Sequence, residues 1–229
     1  MAPRDGTELK EMLSFATSQK KPVFIRYPRA PIPQPIIFPP NGGTEPIREG
    51  KSEILRRGKD GVLLAYGSMV YPAYYAAELL QKENIELTVV NARFAKPIDK
   101  ELIGELLKEA PFIITLEEHI ISGGFGSAVL ESASRLKENR QYINPVRKNT
   151  NRDKDKHSPS NPHWELSNGV NKIITVGIPD QFIEHGPREK LLGLLGLDVA
   201  GIIKLVKDIL INYSTNPDGF SEQEPGTGK

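Results

Sequence analysis

Val62-Leu63-Leu64-Ala65-Tyr66, closed by Gly67-Ser68, is an unbroken apolar run followed by a chain-turning pair. A strand with one wet face alternates apolar and polar residues. A continuous run of this length marks a strand buried on both faces, the habit of parallel sheets. Three further runs repeat it downstream: Leu87-Thr88-Val89-Val90, Phe112-Ile113-Ile114-Thr115-Leu116 and Ile173-Ile174-Thr175-Val176. Helical spacing fills the gaps, over residues 72–83, 100–109 and 123–137, and again over 188–195 and 199–211. Strand and helix in alternation predict an α/β fold, an open and mostly parallel sheet with helices on both faces, joined by right-handed crossovers. This domain is expected over residues 51–211.

The flanks read differently. Asp5, with Glu8 three residues on, has the form of a capping box, and Leu9, Met12, Leu13 and Ala16 continue it as one helical stripe. Lys20-Lys21-Pro22 ends that helix, and Val23-Phe24-Ile25 reads as a short buried strand leading into Arg26-Tyr27-Pro28-Arg29. One helix and one strand cannot bury a core alone. Residues 1–29 therefore complete a domain elsewhere or pack on the chain downstream of them. Residues 30–50 are proline-rich and read as an extended linker. Residues 139–171 are polar, with a local excess of Lys and Arg, and are expected to be a flexible insertion. Residues 212–229 have the composition of a disordered tail.

Composition narrows the function classes. The 30 Lys and Arg balance 29 Asp and Glu, a net charge of +1. Nothing global draws the chain to nucleic acid or to a membrane surface. Cysteine is absent, which removes disulfides and thiolate chemistry. No apolar run approaches a bilayer-spanning length and no secretory signal is visible, so a cytoplasmic protein is expected.

Ligands of open α/β sheets bind outside the carboxyl ends of the strands. Here those ends carry Gly67-Ser68, Ala92-Arg93-Phe94, Glu117-Glu118-His119 and Gly177-Ile178-Pro179. Gly123-Gly124-Phe125-Gly126 opens a helix but lacks the lysine and hydroxyl of a phosphate loop, so close helix–strand packing is the favoured reading. Glu117, Glu118 and His119 hold acid and base groups. Neighbours on a strand point to opposite sides, so the three cannot converge on one atom. No catalytic residue is assigned. His119, His157, His163 and His185 form no pair with metal-ligand spacing, and no metal site is expected. Arg26 and Arg29 bracket Tyr27-Pro28. Paired guanidiniums suit bidentate binding of phosphate, and equally suit salt bridges tying residues 1–29 to another domain.

In order along the chain, these segments resemble one family. Ala2-Pro3-Arg4-Asp5 with Glu8-Leu9 and Met12-Leu13, then Pro22-Val23 and Ile25-Arg26-Tyr27-Pro28-Arg29, resemble the end of the pyrimidine-binding domain of the 1-deoxy-D-xylulose-5-phosphate synthases. Ala92-Arg93-Phe94-Ala95-Lys96-Pro97-Ile98-Asp99, Glu117-Glu118-His119, Gly123-Gly124-Phe125-Gly126-Ser127, Gly177-Ile178-Pro179-Asp180, His185-Gly186-Pro187-Arg188 and Leu195-Gly196-Leu197-Asp198 resemble their transketolase-type C-terminal domain. The likeness spans residues 1–137 and 172–210. It implies a parent transferase, a homodimer, that uses thiamine diphosphate and Mg2+ to join pyruvate to glyceraldehyde 3-phosphate for isoprenoid precursors and thiamine synthesis. In that family the second arginine of Arg-Tyr-Pro-Arg holds the aldehyde's phosphate, a role that falls on Arg29, with Arg26 beside it. The family's Gly-Asp-Gly cofactor motif, its activating glutamate and its thiazolium-side histidines are not in this sequence. The chain is therefore expected to bind no cofactor and to be inactive alone, with the missing N-terminal and pyrimidine-binding domains as its partners. A stand-alone binding module, or the C-terminal half of a split transketolase-family enzyme, are the alternatives.

Overall fold

The central strand is β2, Gly61–Ala65, buried at every position. In the computed structural model, which describes residues 1–33, 45–138, 164–166 and 173–215, the remaining elements build outward from it. They are α1 (Gly6–Ser18), β1 (Glu53–Arg56), α2 (Val70–Gln81), β3 (Leu87–Asn91), α3 (Lys100–Glu109), β4 (Ile113–Ile120), α4 (Phe125–Glu138), β5 (Trp164–Leu166), β6 (Ile173–Ile178), α5 (Arg188–Leu194) and α6 (Val199–Thr215). Among the described residues the sheet has six strands, in the order β1-β3-β2-β4-β6-β5. The four expected strands form its parallel middle, with Leu63 beside both Val89 and Ile114, and Ile114 beside Ile174.

Two strands were not read from the sequence, and both are antiparallel edges. β1 pairs with β3, Glu53 opposite Asn91, and β5 pairs with β6, Trp164 opposite Val176. Each is too short to show a period. β5 also lies inside residues 139–171, expected to be a structureless insertion; the rest of that stretch lies outside the described residues. So does most of the tail expected at 212–229, although α6 continues to Thr215.

Each face of the sheet carries a helical layer. Leu63, Val89, Ile114, Leu116 and Val176 meet α2, α5 and α6 through Ala73, Ala77, Leu80, Leu192, Ile202 and Val206. Val62, Leu64, Val90, Ile113 and Ile173 meet α3 and α4 through Ile103, Leu106, Phe125, Val129 and Ala133. Alternation along each strand sends successive side chains to opposite layers, so every strand residue is used. Asp99 starts α3 by accepting from the Leu102 N–H at 3.2 Å, and its other oxygen takes the Ser52 N–H at 2.9 Å, fixing the entry to β1. Among the described residues no helix is long and apolar enough to cross a membrane.

The N-terminal helix packs on this domain. Met1, Met12 and Phe94 are buried together, with Phe15, Val23 and Ile25 against them. Beneath lies a buried charged network. Arg93, 1 % exposed, donates from Nε to Glu8 Oε1 at 2.8 Å and from Nη2 to Glu53 Oε2 at 2.7 Å. Arg4 Nη1 reaches the same Glu53 oxygen at 2.6 Å, and Asn91 Nδ2 donates to Glu8 at 2.7 Å. Arg93 holds a left-handed backbone, φ 57°, which a non-glycine residue adopts only where its surroundings enforce it. Asp5 caps α1 through the Glu8 N–H at 2.8 Å, but the box does not close on the cap residue. The Glu8 carboxylate takes the Arg4 N–H instead and turns into the network. Burial raises the Glu8 carboxyl above its ordinary range, against the pull of Arg4 and Arg93.

Residues 23–25 correct an expectation. They run extended but join no sheet, and Phe24 is 86 % exposed. Their backbone partner is the first residue: the Arg26 N–H donates to Met1 O at 2.9 Å. Only Val23 and Ile25 turn inward; Phe24, between them, faces outward, as alternation on an extended segment dictates.

Candidate functional site

The carboxyl ends of β2 and β4 and the segment Arg26–Arg29 meet at one cleft of about 200 Å³, whose lining includes Arg26, Arg29, Tyr66, Ser68, Glu118 and Arg188. Three arginines against one carboxylate leave it net cationic. The turn Gly67–Met69 delivers Ser68 from the end of β2. The start of α5 delivers Arg188.

Alternation on β4 separates the three residues read together in the sequence. Glu117 turns inward and is 1 % exposed. Its Oε2 accepts the Phe125 N–H and its Oε1 the Gly126 N–H, each at 2.7 Å, so it caps α4 from the neighbouring strand. Burial pushes this carboxyl up, and the two N–H bonds, with His119 and Arg26, offset part of the rise. A Cβ at Gly124 would lie 2.4 Å from Glu117 Oε2, and one at Gly126 2.8 Å from Thr115 Oγ1. The glycines are there so that helix, strand and carboxylate can close together. Two N–H groups of this helix start go to Glu117, and its glycines serve the close helix–strand packing that the sequence favours. His119 stays half-buried, its Nδ1 3.2 Å from the Ile120 carbonyl. His185 is exposed, and His157 and His163 lie outside the described residues.

Glu118 turns to the cleft. Its Oε1 accepts from Arg188 Nε at 2.6 Å, Arg188 Nη2 donates to its Oε2, and Ser68 Oγ donates to the same oxygen at 2.6 Å. Its backbone carbonyl accepts from Arg26 Nη2 at 2.7 Å. Burial opposes ionisation here, but the bonds from Arg188 and Ser68 and the charges of Arg188 and Arg26 outweigh it. The carboxyl is held below its ordinary range. Tyr66 stacks on Phe125 at 4.9 Å, and burial pushes its phenol up to about 12, so it stays protonated.

The two arginines singled out in the sequence thus line one cleft, in different ways. Arg26 is fastened to Glu118; Arg29 is exposed and makes no hydrogen bond or ion pair among the described residues. The sequence reading missed Tyr66, Ser68 and Arg188 as cleft residues. The Gly67-Ser68 strand end and the arginine of His185-Gly186-Pro187-Arg188 were the available signals, but spacing alone does not bring together residues so far apart in the chain. Among the described residues no three His, Asp or Glu side chains could hold a metal ion. A larger cavity, about 590 Å³, opens beside edge strand β1 and α3. Its charges are mixed, and Lys51 there is paired with Asp99 and Glu101. It lies along the β1 edge of the sheet, and Arg26 and Arg29 are not part of its lining.

Residues 50–152 match the transketolase C-terminal domain. That stretch is a transketolase-type C-terminal domain. It is 40 % identical over 210 residues to 1-deoxy-D-xylulose-5-phosphate synthase 1 of Geobacter metallireducens, covering 92 % of this chain and 28 % of that protein. It is 37 % identical over 210 residues to the synthase of Aquifex aeolicus, covering 91 % and 28 %. The chain thus spans little more than a quarter of the length of these curated relatives. Among solved structures, a split-gene transketolase described as an inactive β4 tetramer superposes with a TM-score of 0.67 at 28 % identity, covering 92 % of this chain and 57 % of that one. The transketolase of Campylobacter jejuni, at 15 % identity and a TM-score of 0.53, shares the fold.

Proposed function

We propose that this transketolase-type domain and its N-terminal helix are the C-terminal part of a 1-deoxy-D-xylulose-5-phosphate synthase, with Arg29 and Arg26 binding the phosphate of glyceraldehyde 3-phosphate. The observation that carries the reading is the cleft itself. The Arg-Tyr-Pro-Arg segment stands over the carboxyl ends of the sheet, where open α/β folds bind ligands. Arg29 has a whole guanidinium to offer, and guanidinium is the side chain best matched to phosphate geometry. Tyr66, kept protonated, adds no charge to the lining.

The parent enzyme is a cytoplasmic homodimer in this reading. Thiamine diphosphate with Mg2+ supplies the decarboxylation of pyruvate and the carriage of its two-carbon unit. The described residues do not fit that group, since they bring no acidic cluster together for the metal. It would be held by the N-terminal and pyrimidine-binding domains. What this chain's own residues do is bind and orient: Arg29 and Arg26 hold the phosphate end of the acceptor, while the buried Arg93 network keeps α1 and the Arg26–Arg29 segment seated on the sheet.

The test is turnover of pyruvate and glyceraldehyde 3-phosphate, measured on the chain alone and joined to the N-terminal part of the Geobacter relative. No turnover alone and turnover when joined is the expected result. Turnover by the isolated chain, or none by the joined protein, contradicts the proposal. A second reading, favoured by the likeness to the split-gene transketolase, makes this chain one subunit of a two-chain enzyme. Co-purification of a separate cofactor-binding subunit from the source cell distinguishes it.

A further inference from the structure

Glu118 holds two arginines of the cleft at once. Its carboxylate takes Nε and Nη2 of Arg188, and its carbonyl takes Nη2 of Arg26. Arg188 is thereby fixed through one edge of its fork and Arg26 through a single Nη2 bond, leaving Nη1 and the remaining donors of each for something else in the cleft. Arg188 is a guanidinium the sequence reading gave no role. Its side chain is 35 % exposed, so it is neither a core residue nor a free surface group. A carboxylate that only neutralised Arg188 would not need the third bond from Ser68, which pins Glu118 from the end of β2.

From this geometry we infer that Arg188 is a third phosphate-binding arginine of the cleft, and that Glu118 is the positioning residue that presents Arg188 and Arg26 to a phosphate monoester. The inference rests on the reading of the cleft as a phosphate site and extends it to α5. Cost and gain favour this arrangement. An exposed arginine gives up its rotamer freedom when it is immobilised on binding. Arg188 and Arg26 have given up much of theirs already, in bonds to Glu118, so the anion meets donors already set in place. The charge count agrees: three guanidiniums against one carboxylate leave the cleft at +2, which suits a dianion.

The test is calorimetric titration of the intact chain with inorganic phosphate and with glycerol 3-phosphate at fixed ionic strength, glycerol serving as the uncharged control. Both anions are expected to bind and glycerol not. R188A is expected to weaken binding by roughly ten- to a hundredfold, the range for losing one charge-assisted hydrogen bond, and R188K to restore part of it. R188Q keeps a polar side chain of similar reach, so its loss of binding with unchanged circular dichroism separates charge from folding.

E118Q carries the sharper prediction. It makes the cleft more positive, so if Glu118 were merely a competing anion the variant would bind phosphate more tightly. As a positioning residue it must bind several-fold more weakly. Tighter binding by E118Q overturns the role of Glu118. Binding by R188A and R188Q equal to wild type, with binding lost in R29A, overturns the role of Arg188 and leaves the cleft reading intact. No saturable binding by the wild-type chain removes the cleft reading, and this inference with it.

Discussion

Gly126 shows how a single missing side chain sets the site. An added methyl would lie 2.8 Å from both Thr115 Oγ1 and Thr175 Cγ2, and those threonines are 0 % and 2 % exposed, with nowhere to move. Gly126→Ala is expected to cost about 1–3 kcal/mol, the usual penalty of overpacking. The shift in urea midpoint measures it, and an unchanged midpoint contradicts the packing described here. Glu118 gives a pH signature. Its folded carboxyl lies below the ordinary range, so its ionised bridge stabilises the fold fully above the unfolded value, about 4.3. That contribution fades as the pH falls through the lower folded value. The stability difference between wild type and E118Q should accordingly be flat from neutrality to about pH 5 and shrink below it. A difference that grows on acidification has the wrong sign.

At this scale the sequence was legible in residue type and illegible in direction. Arg26 and Arg29 stood out because two guanidiniums around a proline are rare and chemically pointed. Nothing in Glu117-Glu118-His119 says which glutamate faces the helix and which the cleft. Alternation predicts that they part, as they do, but the choice is made by where α4 and α5 land.

At the scale of elements, the parallel strands were read correctly because each is a continuous apolar run. The edges were not, because β1 and β5 are very short and charged residues stand in both. The segment 23–25 has a strand's composition but lacks a strand's neighbour, and pairing, not propensity, makes a strand. The buried network was equally hidden. Arg4, Glu8, Glu53 and Arg93 lie on separate segments of the chain, and only the fold gathers them in a space that water does not reach. Breaking such a cluster leaves an unpaired buried charge, so Arg93→Met should cost about 3–5 kcal/mol. It should also free α1, visible as faster amide hydrogen exchange over residues 6–18 than in the sheet. Uniform exchange in the variant contradicts the view that this network is what fastens α1.

At the scale of the whole molecule, the described residues form a sheet with both faces covered, joined to a helix and an arginine-bearing segment that meets the carboxyl ends of its strands. It spans little more than a quarter of its curated relatives. The division of labour we propose rests on that span: acceptor phosphate on this chain, carbon chemistry on domains outside it. The most direct measurement is steady-state kinetics of the joined protein carrying R29A. The expected result is a KM for glyceraldehyde 3-phosphate raised at least about tenfold, the size of one charged hydrogen bond, with the KM for pyruvate unchanged. An unaltered KM for the phosphorylated substrate, or an equal rise for both, contradicts it.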